Sequence, residues 1–284
     1  MGIGRTLGAL ALVVGIVGAW PTSASDEAAT VEASPIVIGE SFALPSAVMG
    51  ATREINVWLP PGYGESDRRY PVIYLLDGGQ QQDFHHISGL AQLGWIGGTV
   101  RDVIVVGVAS VDRRNELAFR AENPEYAETW PSHGQSDRFR RFLAEEAIPF
   151  VEARYRTDGE TAVMGESLAA LFIVETFLRQ PELFDRYIAV SPSVWWDDGA
   201  LVEAAPGLLA AHPAGERTLW LSSASDDGTE AQMAVLEAAL VVGAPADLDW
   251  SYEPRPDETH LTTFHPAALD AMRRLFAPPA EAGQ

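Results

Sequence analysis

The main candidate for chemistry is a serine that has a small residue two positions before it and another two positions after it. The stretch AVMGESLAAL (162–171) places Ser167 in G-E-S-L-A, which departs from G-x-S-x-G because Ala169 replaces the second glycine. A serine hydroxyl becomes a strong nucleophile when a base accepts its proton and fixed donors stabilise the oxyanion. The residues before Ser167 have the pattern of a strand, and those after it, LAALFIVETFLRQ, have the pattern of a buried helix. We therefore predict that Ser167 lies at a sharp strand-to-helix turn. Such short strings also arise by chance, so this interpretation depends on partners elsewhere in the chain.

The candidate base is a histidine near the end of the sequence. Where a nucleophilic serine occupies such a turn, the acid and then the histidine follow it along the chain. Of the six histidines, His260 and His265 follow the last predicted strand. His260 lies in the loop RPDETHL before the last predicted helix, where the base is expected. His265 precedes Pro266 and fits a helix cap or a surface position.

Three acidic residues are candidates for the acid that orients His260. The stretch SASDDGTEAQM follows a predicted strand at 217–223 and contains Asp226, Asp227 and Glu230. Any one of them could hold the imidazole in the tautomer that leaves its distal nitrogen free to accept a proton. The spacing alone does not choose among the three.

Two backbone amides are candidates for an oxyanion hole. Leu168 directly follows the serine, and Gly79 lies in the turn D-G-G that ends the predicted strand YPVIYLLDGG (70–79). Glycine at both 78 and 79 suits a turn whose amides face a ligand at close range, so Gly78 is a candidate for substrate contact. The same turn is also an ordinary way to end a strand.

The composition excludes several classes of function. The formal net charge is −21, which disfavours binding to nucleic acid or to anionic membrane surfaces. All 19 basic residues are arginine, so no mechanism can use a catalytic lysine, and the absence of cysteine excludes disulfides and thiol chemistry. Too few ligands accompany the histidines to suggest a metal site, and no cofactor is expected. The oligomeric state is left open.

The N-terminal residues have the pattern of a signal peptide. An apolar run at 7–19 follows Arg5, and small residues precede a cleavage point after Ala24. We therefore expect an exported protein, periplasmic or secreted, without stable membrane association after cleavage; an uncleaved anchor is the alternative. The predicted segments are a signal peptide (1–24), a flexible lead-in (25–35), a single domain (36–278) and a disordered tail (279–284).

The remaining chain alternates between strand-like and helix-like segments. RDVIVVGVAS (101–110) is an almost continuous apolar run, as expected for a strand buried on both faces. The stretch 137–155 has helical spacing, with Pro149 expected to bend it. The alternation predicts an α/β fold with a mostly parallel central sheet and helices on both faces.

Several motifs in fixed order resemble one known family. The strings YPVIYLLDGG, VASVDRRNEL, FRRFLAEEAIPFVEARYRTDGETAVMGESLAALF, PELFDRYIAVSPSVWW and PDETHLTTFHPAAL together look like the esterases that include the enterochelin-type siderophore esterases and, more distantly, esterase D (S-formylglutathione hydrolase). The resemblance runs from about residue 40 to residue 277.

This resemblance implies a single α/β-hydrolase domain that cleaves carboxylic esters, sometimes thioesters, through an acyl-enzyme. It implies Ser167 as nucleophile and His260 as base. In the family the acid lies in a G-x-x-E/D stretch, which DGTE matches with Glu230. On that ground we rank Glu230 above Asp227 and Asp226.

The sequence departs from the family pattern at two places. The elbow usually reads G-H-S-x-G-G, whereas this chain has Glu166, Ala169 and Ala170; Glu166 could repel anionic substrates or raise the pKa of His260. The pattern D-R-x-R-D is present only in part, because Asn115 replaces its second arginine. Arg113 is then a candidate for contacting a carboxylate or a polar acyl group, with a surface ion pair as the alternative.

Two tryptophans complete the set of candidate site residues. Trp195 and Trp196 follow a predicted strand end, where loops face the ligand in open α/β sheets, and they could wall an acyl pocket or simply pack under a loop. The leading hypothesis is an exported serine esterase acting on a small-molecule ester. The alternatives are an acyltransferase with the same residues and a catalytically silent ligand-binding protein. Siderophore esters, plant cell-wall acyl esters, acetylated sugars and lipids all fit an exported esterase.

Overall fold

The computed structural model of the protein describes residues 33–279. The predicted signal peptide therefore lies outside the described residues, as do most of the lead-in and all but the first residue of the predicted tail. In the described part of the chain, no helix combines the length and apolar character needed to cross a membrane.

One eight-stranded sheet organises the domain. The strands are β1 (Glu40–Ser46), β2 (Ala51–Trp58), β3 (Tyr70–Leu76), β4 (Ile104–Val108), β5 (Thr157–Glu166), β6 (Arg186–Val190), β7 (Arg217–Ala224) and β8 (Leu248–Arg255). Their spatial order is β1-β2-β4-β3-β5-β6-β7-β8. β2 pairs antiparallel with both β1 and β4, and all the other neighbouring strands pair parallel. The predicted α/β-hydrolase architecture, mostly parallel with helices on both faces, is confirmed.

Helices cover both faces of this sheet. The helices are α1 (Phe84–Ile96), α2 (Arg113–Leu117), α3 (Pro124–Thr129), α4 (Ser136–Phe142), α5 (Ile148–Arg154), α6 (Leu168–Arg179), α7 (Ala200–Leu209), α8 (Glu230–Gly243) and α9 (Phe264–Leu275). α1 and α9 contribute to the core on one face, and α4 to α8 contribute to the core on the other. Each face of the sheet therefore has its own apolar core.

The central elements are buried because their sequences are apolar throughout. Every residue of β3 and of β4 is buried, as expected for parallel strands covered on both sides. α6 is buried over all but its last residue, whereas α9 buries only one stripe at helical spacing. The helix that begins at Leu168 is thus almost fully enclosed, and its first turn packs against the sheet.

The predicted bend at Pro149 has a different form in the structure. A π-helical turn, Leu143–Ala147, separates α4 from α5, and Pro149 lies in the first turn of α5. Proline is tolerated there because the first amides of a helix have no intrahelical partner. The irregularity therefore precedes the proline.

Candidate active site

Ser167 lies on a sharp turn between β5 and α6. Its backbone has φ 63° and ψ −119°, a conformation that is unusual for a residue with a side chain. Its amide donates to the carbonyl of Val190 (3.0 Å), and its carbonyl accepts from the amide of Ser193 (3.1 Å). A methyl group on Gly165 would come within 2.7 Å of the Ala169 side chain, so the turn needs small residues at these positions.

His260 contacts the serine hydroxyl from the loop between β8 and α9. Its Nε2 is 3.1 Å from the Oγ of Ser167. The loop is fixed by the amide of His260, which donates to the Asp226 carboxylate (2.6 Å). Asp226 therefore holds the main chain of this loop. The predicted pairing of Ser167 with His260 is thus present in the geometry.

The carboxylate that contacts the imidazole belongs to Asp227. Its Oδ1 is 2.7 Å from Nδ1 of His260, and its Oδ2 accepts from the amide of Ala224 at 2.7 Å. Asp227 is almost fully buried, with 3% of its side chain exposed. Glu230, which the sequence ranked first, is exposed at the start of α8. That ranking is corrected, because the Ala224 amide at the end of β7 draws the Asp227 carboxylate to the position beside His260.

The ionisation of the two residues is coupled through this contact. The hydrogen bond to Asp227 raises the pKa of His260, although burial acts in the opposite direction. Burial opposes ionisation of Asp227, but hydrogen bonds from His260 and the Ala224 amide outweigh it and lower the pKa of Asp227. The pair therefore favours an ionised aspartate against an imidazole of increased basicity.

The two predicted oxyanion amides differ in their surroundings. Leu168 is the first residue of α6, where a backbone amide has no partner within the helix. The amide of Gly79 donates to Oε1 of Gln82 at 2.9 Å. Gly78 is engaged in the sheet instead, because its amide donates to Val108 (3.0 Å) and a methyl group would lie 2.3 Å from the Cα of Gly107. Packing thus explains Gly78, and the structure gives it no contact with the serine.

Arg113 links the two turns that flank the serine. Its Nε donates to the Asp77 carboxylate at 2.7 Å, and its Nη2 is 3.4 Å from the carbonyl oxygen of Glu166. Asp77 itself has φ 52° at the end of β3 and accepts from the hydroxyl of Ser110. Arg113 thus forms an ion pair, but with Asp77 and not with the neighbouring acids Asp112 or Glu116. Because 40% of its side chain is exposed, contact with a substrate stays a prediction.

The two tryptophans have different environments. Trp196 is fully buried and donates from Nε1 to the carbonyl of Phe119 (3.0 Å), so it packs beneath the loop. Trp195 is half-buried, and both tryptophans pack in one aromatic cluster with Tyr126 and Trp130, two residues that the sequence analysis did not identify. Their isolated positions in a polar stretch gave no periodic signal.

A second hydroxyl also lies beside that of Ser167. The Oγ of Ser193 is 3.4 Å from that of Ser167, and Ser193 follows β6 in the same loop as Trp195. Ser191, with φ 46°, accepts from the amide of Ala224 through its hydroxyl at 3.1 Å. The sequence reading missed both serines, although SPS directly after a buried strand marks a strand-end loop. Within residues 33–279, no group of three or more acidic or histidine side chains is placed to hold a metal ion.

A family model described as "Putative esterase" matches residues 46–246. The chain belongs to this esterase family. The resemblance seen in the sequence is thereby confirmed. The match spans the strands from β2 to β7 together with Ser167 and Asp227, whereas His260 lies beyond its end.

Curated relatives of this esterase-family chain match parts of it. Ferri-bacillibactin esterase BesA of Bacillus subtilis is 32% identical over 145 residues, which cover 45% of this chain and 49% of that protein. A siderophore enterobactin esterase of Emericella nidulans is 36% identical over 87 residues, covering 30% of this chain and 29% of that protein. The chain thus spans half or less of the length of these relatives.

A solved structure covers more of the domain. An IroE-like serine hydrolase from Shewanella oneidensis superposes with a TM-score of 0.76 at 27% identity, over 84% of this chain and 80% of that one. This similarity agrees with the α/β-hydrolase architecture described above.

Proposed function

We propose that this esterase-family protein hydrolyses carboxylic esters through Ser167, His260 and Asp227. The observation that carries the proposal is the continuous hydrogen-bonded row from the serine hydroxyl through both imidazole nitrogens to a buried carboxylate. This arrangement matches the roles of nucleophile, base and orienting acid, whatever the positions of the residues in the chain.

In the first half of the reaction the serine takes the acyl group. The Oγ of Ser167 attacks the ester carbonyl carbon while its proton passes to Nε2 of His260. The tetrahedral intermediate collapses, the bond to the leaving alkoxide breaks, and His260 returns the proton to the departing alcohol. Asp227 stays ionised throughout and stabilises the imidazolium.

In the second half, water releases the acyl group. His260 accepts a proton from water as its oxygen attacks the acyl-serine carbonyl. The second tetrahedral intermediate collapses, the bond from the carbonyl carbon to Oγ of Ser167 breaks, and His260 returns the proton to Oγ, which leaves a carboxylic acid and free Ser167. We assign Leu168 as one oxyanion donor, since it begins α6 where the helix dipole also favours negative charge. Gly79 serves as the second donor when the Gln82 side chain releases its amide.

For the substrate we propose a siderophore-type ester. The support is the similarity to relatives named for ferri-bacillibactin and enterobactin, together with the half-buried Trp195 two residues beyond Ser193. An aromatic surface beside the serine suits an aryl acyl group. We test this by incubating the protein with enterobactin and with ferri-bacillibactin and separating the products by chromatography. If neither compound is hydrolysed, the substrate is a different ester.

We also propose export through the N-terminal segment, on the sequence pattern alone. Expression of the full chain in a bacterial host, followed by cell fractionation and intact mass measurement, tests it. The expected product begins at Ser25 and lies outside the cytoplasm.

The first experiment on catalysis compares the wild type with Ser167→Ala. We expect the wild type to turn over p-nitrophenyl butyrate and to be labelled by a fluorophosphonate, and we expect Ser167→Ala to lose both. The control is Ser66→Ala, which should keep both, because Ser66 precedes β3 and the site lies beyond the other end of that strand. A folded wild type without turnover or labelling would support the silent binding protein. Acyl transfer to an added alcohol in preference to water would support the acyltransferase.

A further inference from the structure

Glu166, the residue directly before the nucleophile, has a carboxylate that the mechanism above does not use. It is half-buried at the end of β5. Its Oε1 is buried and has no hydrogen-bond partner within residues 33–279. A buried carboxylate oxygen without a partner is costly unless another group uses it. Glu166 directly precedes Ser167, so this carboxylate lies next to the proposed nucleophile.

The nearby cation does not neutralise this carboxylate. Arg113 spends its Nε on Asp77 (2.7 Å) and reaches only the main-chain oxygen of Glu166 (3.4 Å). Four charged groups act on the Glu166 carboxyl through space: His260, Asp83, Arg113 and Asp227. Two of them, His260 and Asp227, are the residues aligned on the serine, so the carboxyl lies within electrostatic range of the reacting groups.

The charge of Glu166 changes in the neutral range. Burial is the main cause that raises its pKa to about 7; Asp83 and Asp227 add to the rise, whereas His260 and Arg113 oppose it. Below that range the side chain is a neutral carboxylic acid that can donate a hydrogen bond, and above it is an anion beside the reacting centre.

We propose that Glu166 is a specificity-determining residue that selects the acyl group by charge. Ionised Glu166 disfavours an ester whose acyl chain carries a carboxylate, and protonation of Glu166 removes this discrimination. The proposal rests on the proposed function, because the selected ester is the one that Ser167 attacks.

Other ionisable groups lie near this site, and their effect must be separated from that of Glu166. Asp83 precedes α1 and lies 3.8 Å from Nδ1 of His86, whose Nε2 is 3.0 Å from Nδ1 of His265. Any charge on this histidine pair also acts on an anionic ester. A variant at Glu166 isolates its own contribution, because the histidine pair stays in place.

The test uses two esters with the same acyl length and leaving group: p-nitrophenyl valerate, which is neutral, and mono-p-nitrophenyl glutarate, which ends in a carboxylate. The measured quantity is the ratio of their kcat/KM values between pH 6 and pH 8.5. Protonation of His260 affects both esters alike, so it cancels in the ratio. For the wild type, we expect the ratio of kcat/KM for valerate to kcat/KM for glutarate to rise by about three- to tenfold between pH 6 and pH 8.5. This is the effect of one partly screened charge at short range.

Glu166→Gln keeps the shape of the side chain without its charge, and its ratio should stay within about twofold across the range. Glu203→Gln removes an exposed carboxylate on α7 and should keep the wild-type rise. Glu166→Leu is the second neutral variant if the glutamine variant does not fold. A wild-type ratio that does not change with pH, or an undiminished rise in a folded neutral variant, would overturn the proposal. Absence of Ser167-dependent turnover with either ester would instead overturn the proposed function.

Discussion

Replacement of Asp227 by asparagine tests the assignment of the acid most directly. The amide of Ala224 donates to one carboxylate oxygen and Nδ1 of His260 contacts the other, each at 2.7 Å. An asparagine must place its carbonyl oxygen toward the Ala224 amide, because two donors cannot face each other. Its NH₂ group then faces Nδ1 of His260.

The consequence for the histidine is the wrong tautomer. Nδ1 must accept from the asparagine, so Nε2 carries the proton and points it at Ser167, 3.1 Å away. An imidazole in this state cannot take the serine proton. We expect kcat to fall by about 10³- to 10⁴-fold, the effect of this change in serine-protease triads, or ~4–5.5 kcal/mol of transition-state stabilisation.

The assay is kcat for p-nitrophenyl butyrate with Asp227→Asn and, as the matched control, Glu230→Gln. Glu230 is exposed at the start of α8, so its variant should keep kcat within about twofold. Circular dichroism and the melting temperature establish that both variants fold. If Asp227→Asn keeps more than about a tenth of the activity, or if Glu230→Gln loses as much, the assignment of the acid is refuted.

Three further outcomes follow from the site and its supports. Because the hydrogen bond to Asp227 raises the pKa of His260, kcat/KM should fall on acidification with a midpoint above 6.5, and a midpoint at or below 6.5 would contradict this. Gly165→Ala should lower stability by about 1–3 kcal/mol through the 2.7 Å clash with Ala169, with part of the loss recovered in the double variant with Ala169→Gly, as read from melting curves. Trp196→Ala should cost about 3–5 kcal/mol in urea unfolding, because that ring is fully buried. Trp195→Ala should mainly raise KM for aryl esters. If Trp195→Ala and Trp196→Ala lowered the unfolding free energy equally, the different burial of the two tryptophans would not explain their roles.

The sequence predicted the fold and the serine–histidine pair because both leave local signals. A strand-to-helix change around Ser167 and a histidine after the last strand follow from patterns within a few residues. The carboxylate that the sequence ranked first is not the one beside the imidazole, since Asp227 and Glu230 differ in their contacts and hardly in their spacing. What selects Asp227 is an amide of the preceding strand, Ala224, whose direction depends on the folded turn.

Elements without a clear pattern were missed for a related reason. β1 is mostly exposed and pairs only along one edge, so its residues show no buried run. The short helices α2 and α3 owe their positions to side-chain contacts with distant loops. Asp197, for example, accepts from the amide of Asn123, just before α3, at 2.9 Å. Such long-range contacts have no counterpart in local propensity.

The main-chain bonds of Ser167 give this protein a use as a reagent. The amide of Ser167 donates to the carbonyl of Val190 and its carbonyl accepts from the amide of Ser193, and neither of these main-chain hydrogen bonds involves the Ser167 hydroxyl. Ser167→Ala should therefore leave the pocket in its working shape while preventing the first bond from forming. Immobilised and exposed to cell or culture extracts, this variant should retain intact esters, which mass spectrometry of the eluate can identify without prior choice of a candidate.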